Sequence, residues 1–436
     1  MDTMASPAVL TLVIFAITII AWMIGRLDDT FVGLLAALAL LFVGVIERED
    51  LFGALGGDTI WLLIAAFVIA QGLAATGLPE KVGAILIAKA RSVRQLAHLV
   101  TAGLVLTALA VPATSGRAAL ALPVFMALAE VLKQRPRVVR ALALLIPSVI
   151  LLSAIATLIG AGAHLITSQL LAGLTGTGIG FGHWLLLGLP FAVISSHLCA
   201  EIVVLLMTKR TDRRERLPRV QLDKEPFAAA QKRVTVVLGV VIALWCTGFL
   251  NPAIVALVGA VVVTSPKIGT IGMSAALAKV PWSLLLFMAS TAVIGNALST
   301  SGAADWLGRA AFGSATGNAV VLLITVVVVS AAAHLVLQSR SARSAVLVPL
   351  VIPMALATGM NPAALAFAST AAAGFCHTLP SSAKPVAMFA SAEDVPTYRK
   401  RDLVRLSCVL GPLVVALVVA FALFVWPMLG LPMEVS

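Results

Sequence analysis

Apolar runs of roughly 16 to 25 residues recur from one end of this chain to the other, each about as long as a helix that crosses some 30 Å of hydrocarbon. Of its 436 residues 61% are apolar and 11% charged. An ordinary soluble domain is about half apolar and a quarter charged, so a single soluble core is excluded. The first run, 9–25, has no basic region before it and no small-residue cleavage site after it, and is read as a retained helix rather than a signal peptide. Cys199, Cys246, Cys376 and Cys408 fall inside apolar runs, where a thiol is a small buried hydrophobe, and no metal centre is expected. The net charge of +11 sits in short loops between runs, as in cytoplasmic loops of membrane proteins. The expected surroundings are therefore the lipid bilayer, with no nucleic-acid partner.

Runs at 9–25, 30–46 and 59–77 precede a basic amphipathic stretch at 78–94, expected at the interface. The segment 97–132 is interrupted by Val-Pro-Ala-Thr-Ser-Gly-Arg at 111–117. Pro and Gly break a helical ladder and Arg is costly in lipid, which predicts a re-entrant hairpin. A helix at 141–171, broken near Gly160 and Gly162, and a long helix at 184–207 lead to a basic loop. The same order returns at 234–250, 253–264 and 282–302, then in a hairpin at 318–357 with Ser-Arg-Ser-Ala-Arg-Ser-Ala at its tip. A broken helix at 362–390, with Pro380 and Pro385 inside it, and a last helix at 406–429 complete it. Gly77 and Gly302 lie 225 residues apart, and Pro123 and Pro349 lie 226 apart. One offset held through so many segments marks a repeat: a first repeat at 1–208, a basic linker at 209–233 and a second repeat at 234–436.

The expected fold class is an all-α polytopic membrane protein, with about ten transmembrane helices plus two re-entrant hairpins. Five crossings per half, an odd number, make the repeat inverted. Placing the basic loops at 81–94, 133–140, 209–233, 267–279 and 399–405 in the cytoplasm puts both termini outside it, in a cell membrane expected to be a bacterial inner membrane.

Nonhelical backbone at membrane depth is tolerated where it is buried or lines a wet cavity, so the tips and the helix breaks point to one central site. The candidate substrate-binding residues are Thr114, Ser115, Gly116 and Arg117 at the first tip, and Ser339, Arg340, Ser341 and Arg343 at the second, with His164 and Lys384 at the breaks. Hydroxyls donate to oxyanions at little steric cost, or satisfy their own backbone. Guanidinium groups hold an oxyanion bidentately, or pair with carbonyls or lipid phosphates instead. Lys384 either contacts the anion or caps a half-helix, and His164 binds, carries a proton or is a satisfied buried histidine. His197 and Glu201, four apart on one helical face, form a candidate proton relay or a structural pair beside an arginine; His377 precedes the second break.

This pattern, with a small-polar tip six to ten residues before a Pro in each half, resembles the divalent-anion/sodium symporter family and its wider ion-transporter superfamily over nearly the whole chain. The resemblance implies a homodimer in which a mobile transport domain carrying both hairpins moves against a scaffold, an elevator mechanism. It also implies tips reading Ser-Asn-Thr, which help to bind sodium and substrate carboxylates. Here Ala113, Thr114 and Ser115 stand at those places in one half, and Ser339, Arg340 and Ser341 in the other. The family's Thr-Pro-Pro-Asn at the helix break is replaced by Ala161-Gly162-Ala163-His164, and in the second half Pro385 persists between Lys384 and Val386. Fixed cations beside the site repel sodium. The expected function is sodium-independent transport of small, divalent anions (dicarboxylate, sulfate or a related oxyanion) by exchange or proton coupling, with no cofactor and no enzymatic step. Alternatives are proton-linked anion or metalloid efflux within the same superfamily and, from another class, a membrane-embedded enzyme acting on lipid phosphate. The sequence has no H-E-x-x-H or G-x-S-x-G to support the enzyme.

Overall fold

The computed structural model describes residues 6–217, 226–304, 306, 318–379, 382–390, 392 and 395–434. The expectations placed on Pro380, on part of the linker at 218–225 and on the loop at 307–317 lie outside the described residues. The first half begins with α1 (Pro7–Ile24), α2 (Asp29–Phe42) and α3 (Asp58–Ala74). A short α4 (Leu78–Ala88) leads into the hairpin arms α5 (Val93–Ala110) and α6 (Thr114–Val131), the broken-helix halves α7 (Pro136–Ser153) and α8 (Gly162–Thr175), and α9 (Phe181–Met207). The second half comprises α10 (Ala229–Thr247), α11 (Pro252–Thr264) and α12 (Trp282–Thr300), then the hairpin arms α13 (Ala319–Ala332) and α14 (Arg340–Ala357). It ends with the halves α15 (Pro362–Ala373) and α16 (Lys384–Ala390), and α17 (Lys400–Ala420).

The starts of α3 and α12 lie 224 residues apart, and those of α6 and α14, like those of α7 and α15, lie 226 apart. Packing between the halves is reciprocal: α2 packs on α12 and α3 on α11, while α14 packs on α8 and α6 on α16. Neither half therefore completes its contacts alone. Helix starts repeat their chemistry too. Asp28 Oδ1 accepts from the Thr30 amide at 2.9 Å at the start of α2, and Asn251 Oδ1 accepts from the Ala253 amide at 2.8 Å at the start of α11. Asn318 and Asn361 cap α13 and α15 in the same way. Such caps satisfy orphan amides and contribute about 1 kcal/mol each.

Ten helical stretches among the described residues are long and apolar enough to cross a membrane. They include both arms of the first hairpin and one arm of the second, whereas Asp29–Phe42, Pro252–Thr264, Ala319–Leu335 and Pro362–Ala373 are shorter. The sequence expectation counted its ten without the hairpin arms. An 18-residue arm such as α5 is about 27 Å long, close to the hydrocarbon thickness, so length alone does not separate an arm from a crossing.

The interior is built on the broken helices. Every residue of α7 from Ala141 to Ser153 is buried, as is every residue of α15 from Ala364 to Ala373. In lipid, helices associate through close packing and interhelical hydrogen bonds rather than by escape from water. The alanines of α15 permit that close approach. Ser330 and Ser369 share a hydrogen bond at 2.7 Å, as do Thr167 and Thr370. Trp184, Phe367 and Trp426 stack edge to face, at 4.8 and 4.9 Å between centroids.

The first break begins earlier than Gly160. After Ser153, two 3-10 turns, Ala154–Ala156 and Leu158–Gly160, flank an extended Thr157 before α8 starts at Gly162. A neighbour makes this possible. Trp184 Nε1 donates to the Ile155 carbonyl at 3.0 Å, and Gly188 of the same helix lies so close that a Cβ there would stand 2.0 Å from that oxygen. In the second half the helix ends at Ala373, and Lys384 opens α16 rather than lying inside the break.

Candidate functional site

A cavity of about 640 Å³ lies where the two tips meet the two breaks. Ala113, Thr114, Ser115 and Gly116 line it from one tip, and Ser339, Arg340 and Ser341 from the other. Ala161 and Gly162 contribute from the first break, and Ser382 and Lys384 from the second. The rest of the wall comes from outside the hairpins and includes Asp28, Asp29, Gln71, Lys279 and Ser283.

Among the helices that begin at this wall are α6, α8 and α14, from the two tips and the first break. Their first-turn amides lack intrahelical partners and their dipoles present positive ends, which suits an anion. Ser339 caps α14, its Oγ accepting from the Ala342 amide at 3.3 Å. Ala113 has φ of 63°, the one non-glycine residue with positive φ among the described residues. Strain of this kind persists where its surroundings enforce it, and here the Ala113 amide donates to the Ile159 carbonyl at 3.4 Å, tying tip to break. Gly162 permits the opposite approach. A Cβ there would stand 3.0 Å from Ser341 Oγ and 2.8 Å from a Leu284 methyl, so those two side chains would have to turn aside.

Seven of the sequence candidates line the cavity: Thr114, Ser115, Gly116, Ser339, Arg340, Ser341 and Lys384. Arg117, Arg343 and His164 do not. Arg117 is buried and donates to the carbonyls of Leu104 (2.6 Å) and Ile150 (3.1 Å), to Ser153 Oγ (2.7 Å) and to Thr107 Oγ1 (3.0 Å). Arg343, at the equivalent place in the second repeat, donates from Nη1 to the carbonyls of Ala373 (2.7 Å) and Phe375 (3.1 Å). In this structure both arginines pair with carbonyls, the alternative weighed for them, and Arg343 Nη2 is buried without a partner. Each guanidinium donates to one carbonyl in the last turn of the helix that its hairpin abuts, Ile150 of α7 or Ala373 of α15, where the dipole is negative. Arg340 differs: it reaches the Leu151 carbonyl through Nη1 at 3.4 Å while lining the cavity. His164 is buried, with Nδ1 on the Thr157 carbonyl at 3.0 Å and its ring stacked on Trp184. His377 is also buried, against the Ser148 carbonyl.

The candidate relay gains a member. His98 lies between His197 and Glu201, its Nδ1 2.8 Å from His197 Nδ1 and its Nε2 2.5 Å from Glu201 Oε1. Arg94 Nε donates to the same carboxylate oxygen at 2.6 Å. None of these four lines the cavity. Sequence reading missed His98, and also Asp28, Asp29, Gln71 and Lys279. The signal for Asp29 was present: Asp28 and Asn251 are equivalent caps, yet Asp29 stands where the second repeat has Pro252, a carboxylate with no capping duty. Among the described residues no cluster of three or more His, Cys, Asp or Glu could hold a metal ion.

Ten candidate spans among the described residues, folded around a cavity where tips and breaks meet, define the class as a multi-pass membrane protein. More particularly, the chain belongs to the citrate transporter (CitMHS) family, which matches residues 19–372. This family is related to the divalent-anion/sodium symporters and places the chain among transporters rather than enzymes. A membrane protein of Cupriavidus necator is 24% identical over 385 residues, 85% of this chain and 74% of that one. The malate-transporter candidate YflS of Bacillus subtilis is 22% identical over 325 residues, 70% of this chain and 66% of that one. Two solved structures share the fold. The Alcanivorax borkumensis YdaH transporter has a TM-score of 0.58 at 16% identity, over 99% of this chain and 100% of that one. Neisseria gonorrhoeae MtrF, described as illuminating a class of antimetabolite efflux pumps, has a TM-score of 0.61 at 14% identity, over 100% and 98%.

Proposed function

We propose that the chain is a secondary transporter of small di- or tricarboxylate anions, bound in the cavity between the tips. The observation that carries this reading is the wall itself: hydroxyls of Thr114, Ser115, Ser339 and Ser341, the N-termini of α6, α8 and α14, and the cations Arg340 and Lys384 around one 640 Å³ space. Family membership and the relatedness to a malate-transporter candidate favour carboxylates over sulfate.

Coupling is read as sodium-independent. Guanidinium groups occupy the oxygen-lined positions at the tips, Arg117 among two carbonyls and two hydroxyls, so a fixed cation stands where a mobile one would otherwise be held. A second cation there would meet like charge in a poorly screened environment. The hairpins are read as re-entrant, because both tips end in one cavity together with the helix breaks. The halves are read as inverted, the cell membrane as the location, the termini as outside, and the cavity as open to the cytoplasm, since Lys279, at the end of the basic 267–279 segment, lines it. Movement of the hairpins against α2 and α3, and a homodimer, follow from the family resemblance. Proton-linked export is the second reading, favoured by the chain of His98, His197 and Glu201.

Purified protein melted against citrate, malate, sulfate and phosphate, then assayed in proteoliposomes, tests the reading. A carboxylate should stabilise it, uptake should persist without sodium, and Arg340→Ala and Lys384→Ala should each abolish the stabilisation. Sodium-dependent uptake would remove the fixed-cation account. No stabilisation by any carboxylate, with sulfate or phosphate effective, would change the substrate class.

A further inference from the structure

We infer that His98 and His197, held by Glu201, form a site that binds one proton and clasps the first hairpin arm, α5, to α9, and that a second proton opens the clasp.

The protonation states follow from the contacts. Glu201 Oε1 accepts from Arg94 Nε at 2.6 Å, and His98 Nε2 lies 2.5 Å from the same oxygen. A carboxylate oxygen engaged by a guanidinium is an acceptor, so His98 Nε2 carries a hydrogen. On the other side of the ring, His98 Nδ1 lies 2.8 Å from His197 Nδ1. The ring centroids are 5.1 Å apart, which is that contact plus a ring radius at each end, and the planes are 22° from parallel, so the rings meet edge to edge. Such a contact needs one hydrogen and one lone pair. With both rings neutral, His197 Nδ1 donates to His98 Nδ1. A proton arriving at His197 Nε2 sends the shared hydrogen across to His98 Nδ1, which leaves an imidazolium on Glu201 and a neutral His197 that now accepts. Every contact survives this step. One more proton, on His197 Nδ1, makes both facing nitrogens donors on two cations, and the contact is lost.

The place of the clasp gives the proton a mechanical effect. His98 lies in the second turn of α5, and α5 leads straight to the tip residues Ala113 to Gly116 on the cavity wall. None of the quartet lines that cavity, so the proton acts on the hairpin arm rather than passing to a bound molecule. The elements packed on α5 and α9 include α4, α7, α10, α17 and the short helix Arg210–Arg214. Their charges are engaged elsewhere: Lys81 of α4 donates to the Pro226 carbonyl, Arg137 of α7 meets Asp212 at 3.9 Å, and Asp402 of α17 accepts from the Arg399 amide. Lys232 and Arg233 of α10 line a separate cavity. Glu80, Arg140, Arg405 and the arginines of the short helix make no ion pair with the quartet among the described residues. Arg94 and Glu201 are thus the charges that set the pair's protonation.

Nuclear magnetic resonance of full-length protein labelled with nitrogen-15 histidine tests this, since His98–His197 is the one hydrogen bond between histidines among the described residues. A nitrogen–nitrogen coupling across that bond should be present at about pH 8, persist while one ring of the coupled pair becomes an imidazolium, and vanish when the second does, by about pH 5. Melting temperatures of His98→Gln, His197→Gln and the double variant should be non-additive at the alkaline end and additive at the acid end. Absence of the coupling in folded wild-type protein at every pH overturns the site. Two imidazoliums forming in a single step overturn its capacity of one, and a coupling that outlasts the second imidazolium overturns the clasp. The wild-type spectra decide alone if a glutamine variant does not fold.

Discussion

Charged residues that look alike in the sequence divide here by what their nitrogens meet. Arg117 and Arg340 both belong to hairpin tips, yet Arg117 spends its donors on two carbonyls and two hydroxyls of α5 and α7, whereas Arg340 keeps part of its guanidinium toward the cavity. Their substitutions should therefore fail in different ways. Arg117→Met takes the side-chain donor from the Ile150 carbonyl and one of two side-chain donors from Leu104, which keeps Thr107 Oγ1; at about 1–3 kcal/mol for a buried group left unpaired, it should lower the melting temperature in detergent by several degrees. The protein that remains folded should keep its affinity for carboxylate. Lys384→Ala should do the reverse, with near-normal melting and lost stabilisation by carboxylate. A common effect of the two on affinity, with no difference in melting, would contradict the division. The sequence showed that arginines lay at both tips; it did not show the oxygens around them, because those come from helices far along the chain.

At the scale of elements, a break is a property of two helices. Gly160 and Gly162 made the first break visible in the sequence, but the unwinding starts at Ala154 because α9 presses Gly188 against the Ile155 carbonyl while Trp184 supplies it a donor. Gly188→Ala would set a Cβ 2.0 Å from a backbone oxygen that has no flexible side chain to yield. It should push α9 off the break and cause a marked loss of folded, monodisperse protein on size-exclusion chromatography. Gly173→Ala, where an added Cβ meets nothing within 4 Å, should have no such effect. Equal behaviour of the two variants would mean that the break tolerates displacement of α9. The hairpin arms illustrate the opposite limit. Three of the four arms are 18 residues long, enough for a crossing, and only the meeting of their tips with the breaks in one cavity argues that they return.

For the whole molecule, the basic loops give an orientation that labelling can check. In a background without the exposed Cys246 and Cys408, Thr177→Cys should react with a membrane-impermeant maleimide in intact cells, and Arg210→Cys only after permeabilisation. The same side for both sites would refute the topology. A pattern of labelling reversed at both sites would instead turn the cavity outward.

Hydropathy, Pro and Gly positions and one repeat offset are local properties of the chain, and they sufficed to determine a polytopic helical protein with interrupted segments at 97–132 and 318–357 and two broken helices. They also located seven of the cavity's lining residues, because tips and breaks announce themselves wherever a ladder is interrupted in an apolar run. The tertiary structure decided which polar groups face water-filled space and which face carbonyls. It turned Arg117 and Arg343 inward, placed His98 between His197 and Glu201, and brought Asp29 onto one cavity wall with Ser339 and Lys384 across more than 300 residues of sequence. Burial of a charge in lipid is possible only beside oxygen or opposite charge, and the partner that satisfies it is chosen by the packing of both halves together.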